Sequence, residues 1–172
     1  TEFYGRTFAV EPGILIPRSD SETLIEAALA ACPNPRRVLD LGVGSGALLL
    51  TVLAERPGAQ GVGIDASGVA IDVTGENAIA LGIANPWELH LRDWHTPGWA
   101  NGLGSFDLIL CNPPYVEQDA ALDPQVRDFE PASALFAGPE GFDDYRVLIP
   151  QLRVLMNPQA AAILEIGANQ AE

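Results

Sequence analysis

Four short apolar runs, at residues 37–41, 61–65, 106–111 and 160–166, and one alternating run at 87–92 are separated by stretches of helical periodicity, and this pattern leaves few folds open. Residues 19–31 set Leu24, Ile25, Ala28 and Leu29 on one stripe, with Ser19 and Glu22 at capping-box spacing before them and Pro33 and Pro35 after them. Residues 47–56 run helical up to Pro57-Gly58. Residues 67–81 read as a helix opened by Ser67 and closed by Gly82, and 143–156 as a helix kinked at Pro150. A polar loop fills 116–142. Strands alternating with helices predict an α/β fold, with a mostly parallel central sheet and helices on both faces. In such sheets ligands sit at the carboxyl ends of the strands, near the point where strand order reverses. Each Gly-rich or polar punctuation in this chain follows a strand, so the candidate residues gather on one rim.

Charge narrows the chemistry. The chain of 172 residues carries a formal net charge of −14, and all nine basic residues are Arg. Without a Lys, a Schiff-base lysine and a phosphate-loop lysine are excluded. A broad basic face for a phosphate backbone is disfavoured, and a basic protein or a small molecule suits the surface better. Hydrophobic residues make up 48%, as in a globular domain, and no apolar run reaches the roughly 20 residues that cross a bilayer. Cys32 and Cys111 lie far apart without a CxxC, which predicts neither a disulfide framework nor a zinc site and makes a reduced, cytoplasmic setting the default. His90 and His95 have no Cys or carboxylate pattern around them that would mark a metal site, so no metal is expected.

Three constellations carry chemistry. The first is Asp40-x-Gly42-x-Gly44-Ser45-Gly46 after the first run, where glycines let the backbone approach a ligand and turn sharply into a helix. The spacing is GxGxG rather than the GxGxxG of a dinucleotide fold, and an acid precedes it by two residues. That arrangement suits a ligand with a cationic amino-acid moiety better than a pyrophosphate. The second is Asp65, at the end of the next strand, where a carboxylate can accept from both ribose hydroxyls of an adenosine, or merely cap a helix. Asp93-Trp94 holds the matching place after the third strand and is suited to an adenine amine and ring. The third is Asn112-Pro113-Pro114-Tyr115 after the fourth strand. An amide nitrogen is a poor nucleophile because its lone pair is delocalised into the carbonyl. To alkylate one, an enzyme must hold both N–H bonds on acceptors so that the developing lone pair faces the donor. Asn112 offers a side-chain carbonyl, Pro113 a backbone carbonyl on a fixed φ, and Tyr115 a face on which a planar amide or base can stack. Such catalysis works by orientation and needs no base in the motif.

These residues resemble the HemK/PrmC family of release-factor glutamine N5-methyltransferases. The likeness runs from Phe3-Tyr4-Gly5 and Leu15-Ile16-Pro17-Arg18 through the Gly loop, Asp93-Trp94 and Asn112 to Tyr115. It continues over Phe129-Glu130-Pro131, Ala134-Leu135, Gly141 and Tyr145-Arg146 to Glu165-Ile166-Gly167 with Gln170. The resemblance implies a Rossmann-like class I S-adenosylmethionine-dependent methyltransferase, with S-adenosyl-L-homocysteine as product. One domain is expected over 1–172, with 1–35 a lead-in and helix and 36–172 the cofactor-binding and catalytic core. It places the cofactor against Asp40, Gly42, Gly44, Ser45, Gly46, Asp65, Asp93, Trp94 and Asn112. The substrate is placed against Asn112, Pro113, Pro114 and Tyr115, with Asn112, Pro113 and Tyr115 catalytic. The implied acceptor is the glutamine of the GGQ loop of peptide-chain release factors, with no nucleic acid and no membrane as partner.

The chain departs from the family pattern. The usual PRPETE is here Pro17-Arg18-Ser19-Asp20-Ser21-Glu22, which leaves room for the related ribosomal-protein glutamine methyltransferases. The usual Gly-Gly before the last strand is Gln159-Ala160, so that turn must be rebuilt. The family's N-terminal helical domain and last two strands are not in this sequence, and the fifth strand is expected to present an exposed edge at residues 161–164 that invites pairing. Two other functions stay open: adenine-N6 methylation of nucleic acid, since NPPY is shared with those enzymes, and cofactor binding without turnover.

Overall fold

A computed structural model describes residues 1–120 and 130–171; Phe129 and the rest of 121–129 within the expected polar loop lie outside the described residues. All five expected strands form in one sheet, β3 (Arg37–Leu41), β4 (Gln60–Asp65), β5 (Trp87–Leu91), β6 (Phe106–Cys111) and β7 (Met156–Leu164). The order is β5-β4-β3-β6-β7, and every pairing is parallel. The chain travels outward from β3 to β5 and then returns to the other side of β3, so strand order reverses between β3 and β6. Their carboxyl ends carry the Gly loop and Asn112.

Side-chain alternation divides the core. Val38 of β3 with Leu108 and Leu110 of β6 packs beneath α1 (Glu22–Ala31), α2 (Ala47–Glu55) and α3 (Gly68–Ala80). Leu39 and Leu41 with Ile109 and Cys111 face the opposite way, onto Trp99, Leu103 and the buried stripe Leu148, Leu152 and Leu155 of α4 (Asp143–Leu155). That is the expected covering of both faces. Pro150 lies inside α4 on its exposed side. Among the described residues no helix is long and apolar enough to cross a membrane.

Three local expectations change. The Ser19/Glu22 capping box is not formed: Ser19–Ser21 is a 3-10 turn, Ser21 is the N-cap of α1 without a side-chain cap bond, and Glu22 Oε1 accepts the Tyr4 N–H at 2.8 Å. Distant partners outcompete the local cap. Residues 2–7 form a small hairpin of β1 (Glu2–Phe3) and β2 (Arg6–Thr7), turning on Tyr4 and Gly5, both at positive φ. The last strand begins at Met156 rather than at 160, because α4 passes into β7 without a loop. The slack appears as a bulge: Phe106 pairs Met156 but Leu108 pairs Ala161. Gln159 supplies the bend at φ +71, a left-handed conformation that a glycine would take more easily. β7 is an edge of the sheet.

Candidate active site

The Gly loop leaves β3 and is tied to the end of β4: the N–H groups of Gly42 and Val43 both donate to the Ile64 carbonyl at 2.9 Å. Gly44 N–H donates to Asp65 Oδ2 at 2.9 Å, and Asp65 Oδ1 accepts from Ser67 N–H at 2.9 Å. Asp65 lines a cavity of about 480 Å³, and a carboxylate can accept more bonds than these. Burial raises the Asp65 carboxyl above its ordinary value, and backbone N–H bonds from Gly44, Ser67 and Ala66 oppose that rise. A carboxylate in this setting can still accept from a pair of ligand hydroxyls.

The cavity is bounded by Gly42, Gly44, Asp65, Asp93, Trp94 and Asn112, among others. Gly42 sits at φ +78 under the Trp94 ring, so a Cβ there would stand 3.2 Å from it. Asp93 is exposed at the rim, with Oδ1 accepting the His95 N–H at 2.8 Å. Pro114 also lines this cavity. Asp40, Ser45 and Gly46 do not. Asp40 is fully buried, its Oδ2 accepts the Leu49 N–H at 3.2 Å and its Oδ1 has no partner among the described residues. Desolvation pushes its carboxyl well above the ordinary range. Ser45 is buried with its carbonyl accepting from Asn77, and a Cβ on Gly46 would come within 2.8 Å of Leu50 and 2.9 Å of Thr74. These three residues shape the loop from behind.

A second cavity of about 140 Å³ opens beside the first, lined by Leu15, Arg18, Asn112, Tyr115 and Glu165 among others. Asn112 borders both spaces. Pro113 is buried and lines neither cavity with its side chain. Tyr115 is half-buried; burial and the Glu165 charge push its phenol up to about 12, so it stays a hydrogen-bond donor at neutral pH. Its OH donates to Glu165 Oε1 at 3.2 Å, and its carbonyl accepts from Gln170 Nε2 at 3.2 Å.

Asp144 was not legible as a site residue. Its buried carboxylate accepts Trp94 Nε1–H at 2.6 Å and lies 3.0 Å from His95 Nε2, and it lines the larger cavity. In sequence, Asp143-Asp144 reads only as acid favoured at a helix N-terminus. Ser21 and Glu165 entered only through the family likeness, yet they bond directly to the Asn112 and Tyr115 side chains. Among the described residues no group of three or more His, Cys, Asp or Glu could hold a metal.

Residues 19–134 match the family model of the methyltransferase small domain. The chain belongs to that family. This methyltransferase domain is 47% identical over 171 residues to a release factor glutamine methyltransferase of Cereibacter sphaeroides, covering 98% of the present chain. It spans 59% of that relative's length. Among solved structures it is similar to a ribosomal protein L11 methylase from Lactobacillus delbrueckii subsp. bulgaricus, with TM-score 0.61 and 24% identity over 94% of this chain and 67% of the other. It also matches the N-terminal domain of EvdMO1 with SAH bound, with TM-score 0.50 and 27% identity over 59% of this chain and 42% of the other. The fold of this methyltransferase domain is thus shared with the solved L11 methylase.

Proposed function

We propose that this chain transfers a methyl group from S-adenosylmethionine to the side-chain amide nitrogen of a protein glutamine, in a peptide-chain release factor. The observation that carries the reading is the position of Asn112, shared by a large cavity and a side-chain-sized one. The large cavity offers what an adenosyl amino acid needs: backbone at Gly42 and Gly44, lone pairs at Asp65 for ribose hydroxyls, and Trp94 against a planar base. An SAH-bound neighbour at 27% identity supports the cofactor, and the Cereibacter relative's name supports the acceptor. The cofactor supplies an electrophilic methyl group when bound. The chain's own part is orientation. Asn112 Oδ1 and the Pro113 carbonyl accept the two N–H bonds of the glutamine amide, and the Tyr115 ring flanks its plane. The nitrogen would then present its lone pair to the methyl group; as the C–N bond forms the methyl–sulfur bond breaks, the electron pair stays on sulfur to give S-adenosylhomocysteine, and the surplus N–H proton leaves to water. A net charge of −14 favours a basic protein acceptor over nucleic acid. The two cysteines are unpaired, which suits action in a reducing cytoplasm.

The test is the intact mass of a release factor incubated with this chain and S-adenosylmethionine. A gain of one methyl on the GGQ glutamine is expected, and none on DNA or RNA in parallel. Asn112→Ala removes one acceptor, and a misplacement of about 1 Å costs roughly 100-fold in rate. Its turnover should fall at least that far while cofactor affinity falls much less. Unchanged turnover in Asn112→Ala, or methylation of nucleic acid alone, would sink the reading.

A further inference from the structure

An asparagine amide can sit in its pocket two ways, with carbonyl and amino group exchanged, and only one of them offers an acceptor to a substrate amide. The neighbours decide. Asn112 Nδ2 donates to Ser21 Oγ at 3.4 Å, and Ser21 Oγ donates in turn to Glu165 Oε2 at 2.5 Å. A serine hydroxyl has one proton. With that proton committed to a carboxylate, which only accepts, Ser21 has nothing but lone pairs left for Asn112. The amino group is then the favoured end toward Ser21, and Oδ1 is directed away from it. The second Glu165 oxygen takes the Tyr115 OH, so one carboxylate fixes both polar ends of the Asn112–Tyr115 pair. Glu165 is itself held: its N–H donates to the Cys111 carbonyl at 3.0 Å, and its own carbonyl accepts the Tyr145 OH at 2.6 Å.

We propose that Ser21 and Glu165 are positioning residues that set the polarity of the Asn112 amide, through the relay Asn112 Nδ2–H to Ser21 Oγ–H to Glu165. The proposal rests on the glutamine-amide reading for its catalytic consequence, but the relay can be read without any acceptor. Ser21 is almost fully buried at the start of α1, where it makes no side-chain capping bond. The side chain is used across the site instead of along its own helix.

The experiment has two arms on the purified chain. In the first, turnover of a release factor is measured for Ser21→Ala, Ser21→Thr and Glu165→Gln. Ser21→Ala should lower kcat roughly 10- to 100-fold, the range in which small misplacements of a reacting group act. KM and Kd for the cofactor should hardly move, since the Gly loop, Asp65 and Trp94 are untouched. Ser21→Thr returns the hydroxyl and should restore most of the rate. With its carbonyl oxygen kept by the Tyr115 OH, Glu165→Gln presents an amino group to Ser21, which turns the serine proton toward Asn112 and favours the wrong end of its amide; it should be no better than Ser21→Ala. In the second arm, the Asn112 side-chain NH2 pair is followed by 15N NMR in the absence of acceptor, identified by its loss in Asn112→Asp. The pair should shift in Ser21→Ala and return close to its original position in Ser21→Thr. A Ser21→Ala variant with wild-type kcat, or an NH2 pair indifferent to it, overturns the relay and leaves the function standing. Wild-type chain that leaves the release factor unmethylated overturns the function instead, and the NMR arm then decides the relay alone.

Discussion

Glycines of one loop can have different reasons to be glycine, and the difference is measurable at the residue scale. Gly44 sits at φ +56, and a methyl group added there would find no heavy atom nearer than 4.0 Å, so Gly44→Ala meets only backbone strain, about 1–2 kcal/mol. Gly46, at φ +84, would add overlap with Leu50 and Thr74 in the core, raising the loss to about 3 kcal/mol or more. Chemical denaturation of the two variants should show that order, and equal midpoint shifts would contradict it. The motif itself was visible in the sequence, because glycine spacing is a local property. The division of labour within it was not: Asp40, Ser45 and Gly46 read there as ligand contacts, whereas Asp40 accepts the Leu49 N–H, the Ser45 carbonyl accepts from Asn77, and none of the three lines the cavity. The partners of Asn112 were hidden for the same reason. Ser21 and Glu165 stand 144 residues apart, and no periodicity links them.

At the scale of elements, the parallel sheet was legible because each strand is a short apolar run with turn residues after it, whereas the joint between α4 and β7 was not. Asn157 and Gln159 sit in what reads as a turn, and the bonds of Asn157 with Ser105 and Asp107 tie that stretch to β6. Asp107 at the start of β6 is the clamp. Its Oδ2 accepts the N–H groups of Arg36 at 2.9 Å and Arg37 at 3.1 Å, and its Oδ1 accepts Asn157 Nδ2–H at 2.8 Å, so it joins β3, β6 and the bulge of β7. Burial alone would raise this carboxyl, but the hydrogen bonds from Asn157 and the Arg37 and Arg36 N–H groups, with the Arg36 charge, hold it below the ordinary value. A lowered native value means the ionised form is favoured by folding. Its contribution is therefore complete above the unfolded carboxylate value of about 3.9 and is lost as pH falls through the native one. Asp107→Ala should destabilise the chain by about 2 kcal/mol at neutral pH, with the gap to wild type closing in acid. A constant gap from pH 7 to pH 2 in urea unfolding would remove the charge from the explanation.

For the molecule as a whole, cofactor binding and folding are linked. Ligand at 100 times its dissociation constant adds about 2.7 kcal/mol to stability, which for a domain of this size is a melting shift of roughly 5–10 °C. S-adenosylhomocysteine should produce that shift in a thermal scan and NAD should not; the reverse order would point away from the Gly loop and Asp65 as an adenosyl amino acid site. The three tryptophans occupy three depths: Trp87 half-buried on the edge strand β5, Trp94 beside the large cavity, and Trp99 buried with Nε1 lacking a partner. An indole emits further to the blue the drier its surroundings, so Trp99 reports the integrity of the core while Trp94 reports whatever enters beside it. The chain is thereby its own optical probe, in which filling the cavity changes intensity at Trp94 and unfolding reddens Trp99, two events separable by wavelength without a label.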